Sequence, residues 1–100
     1  QATAGIHFAR VMEGLGIADR VKARWRTAPN GATAMRALAQ SAAPRPIGCT
    51  QETEIRATPG ITLVDSLPSG YELLTVYAAA VTATAQAPAE ARRLIAMLAA

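Results

Sequence analysis

The residues best suited to chemistry stand at the start of the chain, where Thr3, Ala4, Gly5 and Ile6 open an amphipathic stretch. Thr3 is placed as an N-cap, whose hydroxyl can accept from a free backbone N–H of the first helical turn. Ala4 and Gly5 are small, so the N–H groups of a helix starting here stand unshielded, and the helix dipole makes them positive. The chemistry implied is capture of a small anion. The same residues also suit an ordinary capped helix with a glycine in its first turn, whose N–H groups meet only water. Phe8, Val11, Met12 and Leu15 follow at i, i+3, i+4 and i+7, which predicts a helix to about Leu15, stopped by Gly16.

Other chemistries find less support. There is no Ser-His-Asp set, no paired carboxylate and no glycine-rich phosphate loop, so no enzyme is expected. Glu52 and Glu54 lie two apart, on different faces of any helix, which makes a poor acid/base pair. Cys49 is the one cysteine and His7 the one histidine. An internal disulfide is therefore excluded, and so is a structural zinc site, which needs about four Cys or His ligands. Cys49 lies in the apolar run Ile47, Gly48, Cys49, Thr50 and reads as a small buried hydrophobe, and nothing in the sequence brings it to His7. No cofactor and no metal is expected.

Composition bounds the rest. At 100 residues and 51% hydrophobic, the chain suits one folded domain rather than a disordered segment. Much of that share is alanine, which buries little area, and there are only 4% aromatics, so the core is thin. The formal charge of +3 is spread along the chain, with no polybasic run and no interleaved aromatics, which argues against nucleic acid as partner. No apolar run reaches the roughly 18 residues of a membrane span. The first residue is Gln1, not methionine, so a processed product or a fragment is expected.

The elements that must position the opening residues follow in order. Residues 17–22 predict a short helical turn, and residues 25–27 a short strand. Pro29, Asn30 and Gly31 mark a turn whose Asn30 can cap a second helix over residues 32–41, with Met35, Leu38, Ala39 and Ala42 on one face. Pro44 and Pro46 end it before a buried strand over residues 47–50. Residues 51–56 suit a short helix or turn, residues 61–64 a strand, and residues 67–70 a loop. The longest strand expected covers residues 73–81, with Leu73, Thr75, Tyr77 and Ala79 on one side. Pro88 then opens a last helix with Ala91, Leu94, Ile95 and Leu98 as its stripe. Helices alternating with short apolar strands imply an α/β class, three layers with helices flanking a mostly parallel sheet. Ligands of such sheets sit near helix N-termini, which singles out the openings at residues 3–6, 30–34 and 50–53.

Ala4-Gly5-Ile6 opening a helix, Leu15-Gly16-Ile17 ending it, and Val21-Lys22 form the first part of a recognisable order. Ala28-Pro29 before a helix with Ala37-Leu38, Ile47-Gly48, and Tyr77-Ala78-Ala79-Ala80-Val81 before a final helix continue it. This order resembles the second half of bacterial periplasmic substrate-binding proteins of the molybdate type, which serve ABC importers. The resemblance implies one lobe of a type 2 periplasmic-binding fold. Residues 1–70 would be the second-lobe ligand-binding domain, and residues 71–100 a strand and helix returning to the first lobe. It also implies a periplasmic protein that holds a small oxyanion in an interlobe cleft and hands it to the importer's membrane component.

By position, the family's helix-opening contact falls on Ala4, beside Gly5, and its contact at the next helix start falls on or near Ala34. A tyrosine that bonds the oxyanion in the molybdate binders falls on Gln51. A phenol mainly donates, whereas an amide both donates and accepts, so the departure admits another small anion or polar solute. The expected ligand-binding set is Thr3, Ala4, Gly5, Ile6, Ala34 and Gln51. A ligand-sensing regulatory domain of the same fold is the alternative, which a neighbouring DNA-binding segment or signal peptide would decide. Because the 73–81 strand and the last helix carry apolar faces, a homo-oligomer of this chain is expected, with those elements exchanged between subunits.

Overall fold

The computed structural model describes residues 3–100. Helix α1 spans Thr3–Gly14 and ends as its sequence predicts. Gly16 takes a φ of 71°, a left-handed conformation that glycine adopts without steric cost. Its N–H donates to the Glu13 carbonyl at 3.0 Å and the Ile17 N–H to that of Met12 at 3.0 Å, the paired bonds that close a helix at such a glycine. Helix α2, Ala18–Val21, and a 3₁₀ turn, Lys22–Arg24, reverse the chain. The reversal lays Trp25 on Phe8, ring centroids 5.3 Å apart.

Helix α3, Gly31–Ala39, starts at Asn30, whose side-chain oxygen accepts from the Thr33 N–H at 2.9 Å. Helix α4, Glu52–Arg56, packs against it. The packing is close at Gly31, where a Cβ would overlap the Glu54 carboxylate and the Thr50 hydroxyl, themselves hydrogen-bonded to each other. Gly48, on the segment leading into α4, lies against the Met35 and Leu38 side chains. Met35, at 2% exposure, and Val11, at 6%, are the buried hydrophobic residues among those described. The last helix, α5, spans Pro88–Ala99 with proline in its first turn.

The expected α/β class is not what forms. Among the described residues there is no strand, hence no three-layer arrangement and no mostly parallel sheet of a periplasmic-binding lobe. The segments expected as strands, residues 25–27, 47–50, 61–64 and 73–81, carry no regular secondary structure and pair with no neighbour. The physical reason lies in what a strand requires. A helix satisfies its backbone internally, whereas a strand needs a registered neighbour, and a parallel sheet needs both faces covered. The helical faces here are too short and alanine-rich to cover a sheet: Val64, Leu74 and Val76 are each more than 80% exposed.

The stripes predicted for the helices are covered in part. Val11 is buried but Leu15 is exposed, and on α5 Ile95 is half-buried while Leu94 and Leu98 are exposed. The chain has a radius of gyration of 17.5 Å, against about 13 Å for a compact domain of this length. Its accessible surface of 8369 Å² likewise exceeds the about 5,400 Å² of a compact monomer of its mass.

Candidate functional site

Three parts of the chain converge beside the opening of α1. Ala4 and His7, one helical turn apart, form one wall of a cavity of about 70 Å³. Cys49, Thr50 and Gln51, the residues leading into α4, form the second wall, and Leu67, Leu73 and Thr75 the third. Leu73 and Thr75 alternate on the side of the chain that period-two spacing predicts. They belong to the segment that the resemblance assigns to a first lobe.

Two hydrogen bonds hold the third wall in place. The His7 ring Nε2 lies 2.6 Å from the Tyr71 carbonyl oxygen, which can only accept, so Nε2 carries the hydrogen. At the other end the Tyr77 hydroxyl donates to Gln51 Oε1 at 2.8 Å. Residues 71–77 are thus tied at both ends, once to α1 and once to the residue that starts α4.

Among the described residues no carboxylate and no Lys or Arg side chain lines this cavity. Burial pushes the Cys49 thiol above its ordinary range, so at neutral pH it is uncharged. The setting is therefore largely apolar, with a few polar groups and no negative charge on its walls. In size it admits about five water-sized groups at the ~10–15 Å³ that each requires.

A larger hollow, about 350 Å³, lies between α3 and α4 and is lined by Arg36, Glu54 and Thr58 among others. It is a groove several of whose polar groups are engaged with their neighbours. The Thr58 hydroxyl donates to the Glu54 carbonyl at 2.8 Å, Thr50 donates to the Glu54 carboxylate, and Arg36 donates to the Thr33 hydroxyl at 3.3 Å. The smaller cavity is the better candidate, because residues from three separate segments meet there and the amide nitrogen of Gln51 keeps its hydrogens.

Of the residues singled out in the sequence, Ala4 and Gln51 line the same cavity. Thr3, Gly5 and Ile6 sit beside Ala4 on α1 without lining it, and Thr3 is the first helical residue, the position ahead of it lying outside those described. Ala34 lines neither hollow, and its N–H donates within the helix to the Asn30 carbonyl at 3.1 Å. The sequence reading missed His7, Thr75 and Tyr77, and it left Cys49 and His7 apart where the fold sets both on one cavity. His7 was within reach, since it follows Ala4 by three residues on one helix face. Tyr77 carried no local signal.

The family model of the bacterial extracellular solute-binding proteins matches residues 1–100. The chain belongs to this family. Among curated proteins and among solved structures nothing matches it significantly. Membership gives this solute-binding protein its role, the substrate-binding component of an ABC importer, and a periplasmic or extracellular location. The relationship expected from the order of short motifs holds at the level of the family. Binding rather than catalysis is the activity that membership implies. No described helix is long and apolar enough to cross a membrane.

Proposed function

We propose that this solute-binding protein takes a small oxyanion, of the size and geometry of molybdate, in the cavity between Ala4 and Gln51. The observation that carries the reading is the meeting of these two residues on one small cavity free of carboxylates. A tetrahedral oxyanion has five heavy atoms, which suits a space for about five water-sized groups. The N–H groups opening α1, at Thr3, Ala4, Gly5 and Ile6, bring the positive end of a 12-residue helix to one side. The Gln51 amide, the Thr75 hydroxyl and the His7 ring supply side-chain contacts. Ala34 lines neither hollow and its N–H is bonded within α3, so it stands outside this set of contacts.

In the intact importer system we assign this chain to the second-lobe wall of the cleft, with residues 1–70 carrying most contacts and residues 71–100 reaching toward the first lobe. Alone, the chain forms a homo-oligomer. Its apolar segment, with Leu74, Val76 and Tyr77 exposed, and the α5 face of Leu94, Met97 and Leu98 favour a second copy as cover. Exchange of these elements preserves the Tyr77–Gln51 contact between subunits.

Isothermal titration with molybdate, tungstate, sulfate and phosphate tests the ligand class. Binding of at least one is expected, and Gln51→Ala is expected to weaken it by about 1–3 kcal/mol with little change in the melt. Binding of none of the four discards the oxyanion reading.

A further inference from the structure

We propose that the turn after α1, residues 19–26, is a docking surface for anionic phospholipid headgroups of the membrane that holds the importer. Basic residues are spread along the chain, but their excess over acidic ones is not. Of ten basic and seven acidic residues, four and one fall in this turn, so Arg20, Lys22, Arg24 and Arg26 against Asp19 carry the whole formal +3. The rest of the chain is balanced.

The fold turns these cations outward for a local reason. Ile17, Val21 and Trp25 recur at i, i+4 and i+8 and are half-buried, whereas Arg20, Lys22, Arg24 and Arg26 are exposed. Trp25 is fixed on the inner side by its stack on Phe8, ring centroids 5.3 Å apart. At the other end the Ile17 N–H donates to the Met12 carbonyl at 3.0 Å. The turn is thus clamped to α1 at both ends, and little of its backbone has to be ordered on binding. Among the described residues the one ion pair joins Arg56 to Glu52, and the arginines that donate to side chains are Arg36 and Arg56. The charge of the turn is left for a partner.

The chemistry of the patch favours a plane of phosphates over other anionic partners. None of the four cations lines either hollow, so a single small anion finds no enclosure here. A folded protein partner needs an apolar seat among the charges to fix its register, and the apolar members of this turn face inward. Headgroups need no seat and no register. Each Lys or Arg near such a surface raises adsorption about fivefold, and salt screens the attraction over about 10 Å at 0.1 M. A protein held this weakly searches the membrane surface for the importer and still detaches.

Flotation of the full chain with phosphatidylglycerol-containing vesicles and with phosphatidylcholine vesicles tests the surface, at low salt and at about 0.5 M. Two double variants remove equal charge from different places: Lys22→Gln/Arg24→Gln in the turn and Arg92→Gln/Arg93→Gln on α5. Thermal melts confirm that each folds, and Arg20→Gln/Arg26→Gln replaces the first if it does not. The expected result is adsorption to the phosphatidylglycerol vesicles alone, abolished by high salt. The turn variant should adsorb more than about tenfold more weakly, and the α5 variant within about threefold of the unaltered chain. Absence of adsorption to phosphatidylglycerol overturns the proposal. Equal weakening in the two variants overturns it too, since overall charge rather than this turn would then be responsible. Polyglutamate bound in place of the vesicles would assign the turn to an acidic protein segment and overturn the membrane surface as its partner.

Discussion

Residues 3–60 and residues 61–100 of this protein are built on different terms. The first part holds α1 to α4, the Phe8–Trp25 stack, the close approach at Gly31 and the buried residues Val11, Gly31 and Met35. The second part holds irregular chain and one helix, and its apolar side chains, among them Val64, Leu74 and Val76, stand in solvent. The difference teaches where stability resides. Helices close their own hydrogen bonds and need a partner only for one stripe, while extended segments defer both their backbone groups and their side chains to a neighbour. The candidate site lies across the boundary, its first two walls from the first part and its third wall from the second.

The sharpest way to break this contrast is at Met35, the most buried hydrophobic residue described. Met35→Ala is expected to cost about 2–4 kcal/mol by lost transfer energy and cavity formation. A urea melt followed by circular dichroism measures it. A cost below that of surface changes would mean that α3 and α4 are not the stable centre.

Next comes Gly31, where an added methyl meets the Glu54 carboxylate and the Thr50 hydroxyl. Gly31→Ala is expected to destabilise by about 1–3 kcal/mol through overpacking. Shortening the obstructing side chain in Gly31→Ala/Glu54→Ala should recover part of the loss, measured as a double-mutant cycle. Additive losses would show that the two residues do not press on each other.

Asn30→Ala removes the cap of α3 and is expected to cost about 1 kcal/mol. Its effect should appear in the melt of the isolated chain and leave anion affinity nearly unchanged, since Asn30 lines neither hollow. Loss of affinity beyond twofold or so would tie the cap to the site.

The smallest stability effect is expected in the second part. Val76→Lys alters a side chain that is 83% exposed and should shift the melt by less than about 0.5 kcal/mol. Light scattering is where it should register, because a charge on an uncharged apolar segment opposes pairing with a second copy. Equal oligomeric states for the two proteins, or a monomer in both, would end the case for association through residues 73–81.

Much of the local structure is legible in the sequence, and for one reason. Gly16 ending α1, Asn30 starting α3 and Pro88 starting α5 act through bonds that span five residues or fewer, so residue type alone foretells them. The apolar runs at residues 47–50, 61–64 and 73–81 read as strands, and none of them forms one. Their assembly into a sheet was an inference about neighbours, and it failed because pairing depends on what lies alongside rather than on the run itself.

The candidate site divides in the same way. By itself the sequence determined that α1 opens on small residues at Ala4 and Gly5, that Gln51 leads into a short helix, and that Leu73 and Thr75 fall two residues apart in one apolar run. Only the tertiary structure decided that these three pieces meet, that His7 and Cys49 join them, and that Tyr77 takes the acceptor of Gln51 across 26 residues of chain. Periodicity and caps are properties of neighbouring residues, set by backbone geometry. A contact at long range is set by how every intervening turn directs the chain, and no short stretch of residues encodes that direction.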